Sequence, residues 1–215
     1  MSRGSLTTTS YAVLGLLAIR PWSTYELTRQ MDRSLGRMWP RAQSKLYEEP
    51  KKLAAHGFAT TSEEHVGRRR RAVYAITSAG RDALAAWLQT PGSGPVLEFE
   101  QLLQVFFSEN GTRDDVLATL AAAREWGRRQ AADSAATGRQ YLEGTGPFPE
   151  RLAQLLLVSR FLTDFYTLVE DWATWAGRVA ARWPDDVAGA PVDRSVLEQV
   201  VRAGESGDSE APGPR

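Results

Sequence analysis
Apolar positions recur at helical spacing through most of the chain, and the period switches to strand-like alternation in one short stretch. Residues 10–19 carry Val13, Leu14, Leu16 and Leu17, and Arg20-Pro21-Trp22 ends that block. The run "STYE" follows: Ser23 as N-cap with Glu26 three residues later is a capping box. It predicts a second helix to about Leu35, with Gly36 as the stop. A third helix is expected from near Arg41 to Gly57. Residues 58–66 and 72–77 then favour strand, with Gly67 and the neighbouring arginines as the bend. Thr77 or Ser78 caps a fourth helix whose inner face is Leu84, Trp87 and Leu88. Three short helices with a tight turn, followed by a two-stranded hairpin, describe a winged helix-turn-helix.

The second half reads as nearly all helix: 99–109, 114–142 and 150–183. The last of these would be about 50 Å long at 1.5 Å per residue. Along it Val158, Phe161, Phe165, Leu168, Trp172, Trp175 and Val179 repeat at three and four, a heptad seam that must be buried against something. With only two companion helices in the chain, a second subunit is a natural partner, and Phe161, Phe165, Leu168, Trp172 and Trp175 are the candidate dimerisation residues. The expected fold is mainly α with a small two-stranded β-wing. Residues 1–90 form the winged-helix domain and 91–184 the helical dimerisation and effector region. Residues 185–215, rich in Gly, Pro, Asp and Ser, form a disordered tail.

Charge sharpens this division. The net charge is zero, yet residues 1–90 hold fourteen Lys and Arg against seven Asp and Glu, and residues 91–215 hold twelve against nineteen. A basic first part suits a polyanion. The chain has no cysteine, so disulfides and thiolate metal sites are excluded. No stretch reaches about 18 consecutive apolar residues, and no small-residue cleavage site follows the N-terminal apolar run, so neither a membrane span nor a secretory signal is expected. The simplest expectation is a cytoplasmic protein without cofactors. The two histidines, His56 and His65, lack the spacing of a metal pair, and neither a glycine-rich phosphate loop nor a nucleophile elbow is present. An enzyme is not expected, and neither catalytic nor metal residues are assigned.

The third helix carries the candidate chemistry. If Leu46, Pro50 and Leu53 face inward, the opposite side presents Gln43, Ser44, Tyr47, Glu48 and Lys51. A hydroxyl, a phenol and an ammonium on one stripe can grip phosphates while Gln43 reads base edges. The plainer reading is a solvated helix face, and the place of this helix in a helix-turn-helix favours DNA. Pro50 sits mid-helix, where it removes one hydrogen bond. Either it bends the helix between Leu46 and Pro50, or it begins a new segment. Arg68, Arg69, Arg70 and Arg71 repel one another and gain from adjacency only opposite a counter-charge. Glu63 and Glu64 can neutralise part of that cluster across the hairpin.

The order of these stretches, "SYAVLGLLA", "STYELTRQM", "SKLYEEPKKLAAHGFA" and "GRRRRAVYAITSAGRDALAAWL", resembles the PadR family of bacterial transcription regulators over residues 7–90. The resemblance implies a winged-helix homodimer on a palindromic operator, usually a repressor, completed by a variable helical C-terminal part. It implies that Tyr47 contacts DNA and that the Arg68–Arg71 tip approaches the backbone. Some members answer to phenolic or flat drug-like compounds, so a small aromatic effector is a candidate partner of unknown identity. The expected DNA-binding set is Arg41, Gln43, Ser44, Tyr47, Lys51 and Arg68, Arg69, Arg70 and Arg71, with double-stranded DNA and a second subunit as partners. The rival expectation is a protein-docking module that uses the winged helix as scaffold and its acidic helical half as the docking surface.

Overall fold
The computed structural model describes residues 6–40, 43–66 and 69–208. The chain forms two compact units, residues 1–95 and 96–215.

In the first unit, helix α1 (Thr8–Ile19) opens with a polar turn, is apolar from Ala12 onward and buries Val13, Leu14, Leu16 and Leu17. Strand β1 is only Trp22–Ser23. Ser23 is also the N-cap of α2 (Thr24–Gln30), and its reciprocal bonds with Glu26 complete the expected capping box. The expected helix to Leu35 changes character: Met31–Leu35 form a π-type turn that closes from the Gly36 amide to the Met31 carbonyl. A Cβ on Gly36 would lie 2.7 Å from the Asp32 carbonyl, so the tight turn needs glycine.

Helix α3 spans Gln43–Ala55 without a break, so Pro50 begins no new segment. Its end is a Schellman motif: the Phe58 amide bonds the Leu53 carbonyl, the Gly57 amide bonds that of Ala54, and Gly57 has φ +78°. Strands β2 (Ala59–Val66) and β3 (Arg69–Ile76) pair antiparallel, and β1 joins on the far side of β3. The sheet therefore has three strands where the sequence predicts two. Two residues carry no readable alternation, which is why β1 is invisible without coordinates. Helix α4 (Ser78–Leu88) starts at Thr77, whose hydroxyl accepts from the Gly80 amide. Its expected inner face is corrected at one end: Leu84 is half-buried and Trp87 stacks on Tyr11 at 4.9 Å, but Leu88 is exposed.

In the second unit, α5 (Glu100–Phe106) leads through a 3₁₀ turn to α6 (Arg113–Leu142), capped by Thr112 and Asp115. Helix α7 (Leu152–Ala180) packs along α6. The two run antiparallel, because Val116 and Leu120 share a core with Ala180 while Gly127 lies against Tyr166 and Glu170. A Cβ on Gly127 would lie 2.8 Å from the Tyr166 carbonyl, so this glycine sets how closely the helices approach. The chain then folds back: Arg113 pairs with Asp185 at 2.7 Å, and Val187 joins the core of Val116 and Leu120. Within the stretch expected to be a disordered tail, Arg194–Asp208 forms a helix, α8. Val196, Leu197, Val200 and Val201 give it an apolar stripe at helical spacing, which the surrounding Gly, Pro and Ser conceal from a compositional reading.

Candidate nucleic-acid interface
Helix α3 is anchored from one side. Leu46 and Leu53 are buried, and Pro50 is among the most fully buried side chains of the chain. That is the inward stripe read from the sequence. The ring of Pro50 fills core volume, and the hydrogen bond it forgoes is the one to the Leu46 carbonyl. A fourth inward residue was not foreseen. Glu49 is 9% exposed, and its carboxylate accepts a hydrogen bond from the Ser10 hydroxyl of α1. A charge-assisted bond between α1 and α3 fixes the roll of α3 about its axis. The i, i+3 and i, i+4 offsets of Glu49 from Leu46 and Leu53 could have revealed this, but a glutamate reads by default as surface.

The opposite face is open. Tyr47 is 39% exposed, and Lys45, Glu48, Lys51 and Lys52 are exposed beside it. Lys52 lies 4.0 Å from both Glu48 and Glu49. Lys51 lies one turn from the phenol on the same stripe, and the exposed Lys45 is an addition to the set read from the sequence. The backbone of Gln43 and Ser44 opens α3, but their side chains, and all of Arg41, lie outside the described residues.

The wing differs from the expected basic tip. Arg69, Arg70 and Arg71 are strand residues of β3, opposite Val66, His65 and Glu64. The bend expected at Gly67 lies outside the described residues, as do Arg68 and the side chain of Arg69. Alternation sends Arg70 and Arg71 to opposite faces. The Arg70 guanidinium donates to Glu63 at 2.6 Å and is largely exposed. Arg71 donates through Nε and Nη2 to one oxygen of Glu64, at 3.2 and 2.7 Å. Its Nη1 lies 3.6 Å from Glu26. The expected neutralisation by Glu63 and Glu64 is present, one carboxylate per arginine. Glu26 is held below the ordinary carboxylate range, first by hydrogen bonds from the Ser23 hydroxyl and amide, then by Arg71 and Arg20.

In the second unit the heptad seam divides. Phe165 and Trp172 turn toward α6, in edge contacts with Trp126 at 6.3 Å and with Phe99 at 6.0 Å respectively. Phe161 (63% exposed), Leu168 (63%) and Trp175 (40%), spaced by seven, stay open in the single chain.

Comparison with known proteins places this geometry. Residues 13–86 match the model of the Transcriptional regulator PadR-like family. The Negative transcriptional regulator PadR of Bacillus subtilis is 35% identical over 79 residues, 36% of this chain and 43% of that protein. A probable transcriptional regulator of Mycobacterium tuberculosis is 36% identical over 83 residues, 38% and 43% of the two chains. The chain thus spans less than half the length of the curated relatives it matches. Among solved structures, B. subtilis PadR with operator DNA aligns at TM-score 0.71 and 22% identity, covering 81% of this chain and 99% of that one. B. subtilis PadR with p-coumaric acid aligns at 0.65 and 21%, covering 82% and 100%. The Vibrio cholerae virulence activator AphA aligns at 0.58 and 24%, covering 81% and 96%. At these identities the structures establish the fold, a winged helix followed by a helical part. Over residues 13–86 the chain is thus similar to the PadR-like family of transcriptional regulators.

Proposed function
We propose that the protein is a sequence-specific DNA-binding transcriptional regulator that acts as a homodimer on a palindromic operator. The observation that carries this reading is the two-sided helix α3: Leu46, Glu49, Pro50 and Leu53 lock one face to the core, while Tyr47 and Lys51 project from the other. A helix held so rigidly and presenting a phenol with an ammonium one turn on suits the major groove, with Ser44, Tyr47 and Lys51 on phosphates and Gln43 reading base edges. Arg70, beside Arg68 and Arg69, adds affinity that does not depend on sequence and falls with salt.

The open stripe of Phe161, Leu168 and Trp175 supports the homodimer, because three large apolar residues at heptad spacing are costly to leave in water. By length and composition, Pro149–Ala180 could also cross a membrane, with a mean hydropathy of 1.3 in its most apolar stretch. We read it as a packing helix: it lies along α6, and its apolar half carries the ion pair of Arg160 with Asp164 at 2.7 Å. Repression follows the name of the B. subtilis relative, and a small aromatic effector acting on the helical part follows the p-coumaric acid bound in its structure. The cluster of Phe99, Trp126, Phe165, Tyr166 and Trp172 would report such a ligand by fluorescence. Regulation, rather than catalysis, is the activity this arrangement supports.

The test is selection of duplexes from a random pool by the purified protein. The reading requires an inverted repeat whose half-site centres lie about 34–36 Å apart, one helical turn. Enrichment of no motif, or of a single unrepeated half-site, would overturn it.

A further inference from the structure
The four adjacent arginines invite one role for all of them, yet the two described guanidiniums sit in different settings. Among the described residues Arg70 has one partner, Glu63, on its own hairpin, and its side chain is 71% exposed. Arg71 has two partners on two elements and is about half as exposed. Glu64 is its cross-strand neighbour on β2. Glu26 belongs to α2, and the oxygen that faces Arg71 is the one that accepts from the Ser23 amide and hydroxyl. Ser23 pairs in turn with Val73, two residues along β3 from Arg71 and on the same face of the strand. The hairpin and the N-terminus of α2 thus meet at a single guanidinium, and strand β1 is tied to that junction through Ser23. Helix α2 packs on α3, so this junction joins the wing to the helix whose outer face carries Tyr47 and Lys51.

We propose that Arg71 is a positioning residue, not a phosphate contact: it fastens the β2–β3 wing to the start of α2 and so sets where Arg70 meets the DNA. The inference rests on the DNA-binding reading above. A cation spent on two carboxylates has little charge left to displace counterions, whereas Arg70 can trade Glu63 for a phosphate at the cost of one surface ion pair. Arginine suits the junction because its planar fork presents Nε and Nη2 to Glu64 and Nη1 to Glu26 in one fixed geometry, which a single ammonium does not supply.

The experiment compares Arg71→Ala, Arg71→Lys, Glu26→Gln and the double variant Glu26→Gln/Arg71→Ala with Arg70→Ala, using the full-length protein. Glutamine still closes a capping box, so Glu26→Gln removes the ion pair and spares the start of α2. Binding to a random-sequence duplex of about 30 base pairs is followed across a salt series, and amide hydrogen exchange of β2 and β3 is followed without DNA. Arg70→Ala should flatten the slope of log affinity against log salt by about 0.9 and leave wing exchange unchanged. Arg71→Ala, Arg71→Lys and Glu26→Gln should each lower affinity by about two- to fivefold, the size of one partly exposed ion pair, with the slope unchanged. Each should also speed wing exchange, and the double variant should be no weaker than either single. A slope flattened by about 0.9 in Arg71→Ala, full activity in Arg71→Lys, or additive losses in the double variant would overturn the proposal. Failure of every form to bind duplex would instead defeat the DNA-binding reading, and wing exchange would still report whether the fastening exists.

Discussion

Replacing Leu168 by alanine removes three carbons from the middle of the open stripe on α7. At about 0.8 kcal/mol per buried CH₂, complete burial of those atoms would be worth roughly 2.4 kcal/mol. Leu168 is 63% exposed in the single chain, so about 1.5 kcal/mol remains for a second subunit to recover. In a two-fold dimer the same position contributes twice, which gives about 3 kcal/mol, or roughly a hundredfold in dissociation constant. Analytical ultracentrifugation over a concentration series of wild type and Leu168→Ala measures this directly. Phe161→Ala should weaken association at least as much. Val96→Ala, which truncates a still more exposed residue outside the seam, should leave it unchanged. Circular dichroism would confirm that the helices are intact. A dissociation constant within threefold of wild type for Leu168→Ala, or equal weakening by Val96→Ala, would refute the argument that α7 forms the subunit contact.

Three further outcomes follow from the packing and charge described above. Gly127→Ala should destabilise the chain by about 1–3 kcal/mol in urea, because its Cβ meets the α7 backbone, whereas Gly138→Ala in the same helix, with open space around it, should stabilise by up to about 1 kcal/mol. Stabilisation by both would show that α6 and α7 do not approach so closely. Glu63→Gln should tighten binding to any duplex by about two- to fivefold at low salt and not at high salt, since it releases Arg70 and removes a negative charge near phosphate; weaker binding in anisotropy titrations would count against it. Glu26 has a depressed folded-state pKa, so the stability it adds is present above its unfolded value near 4.5 and is lost as pH falls through the folded value. Melting temperature should therefore fall less between pH 5 and pH 3 in Glu26→Gln than in wild type, as differential scanning calorimetry would register; equal falls would remove Glu26 from the acid response.

Much of the first unit can be read from the sequence because its signals are local. The Ser23–Glu26 capping box, the Thr77 cap and the Gly57 stop each depend on a few adjacent residues, and all three appear where expected. The inward face of α3 follows from spacing alone, even with a proline in it. What the sequence conceals are partnerships across distance. The pairing of Glu49 with Ser10 links residues 39 apart in the chain, and that of Arg71 with Glu26 links two elements that no periodicity relates. Strand pairing also moved the arginines: a run of like charge after a glycine looks like a bend, but ion-paired with Glu63 and Glu64 it is stable as strand. In the second unit the heptad spacing locates the seam without telling which residues face α6. Only the coordinates separate Phe165 and Trp172, packed on Trp126 and Phe99, from Phe161, Leu168 and Trp175, left open. Helix α8 was hidden by the composition around it.

The most direct test of the central claim is fluorescence anisotropy with DNA from upstream of the protein's own gene and a shuffled duplex of equal composition, for wild type and for Tyr47→Ala/Lys51→Ala. The account predicts that wild type prefers the native duplex by a factor of about a thousand or more. It also predicts that the double variant loses at least about tenfold on that duplex while its melting temperature holds, because both side chains point away from the core. Equal affinity of wild type for the two duplexes at every salt concentration, or an unimpaired double variant, would contradict it.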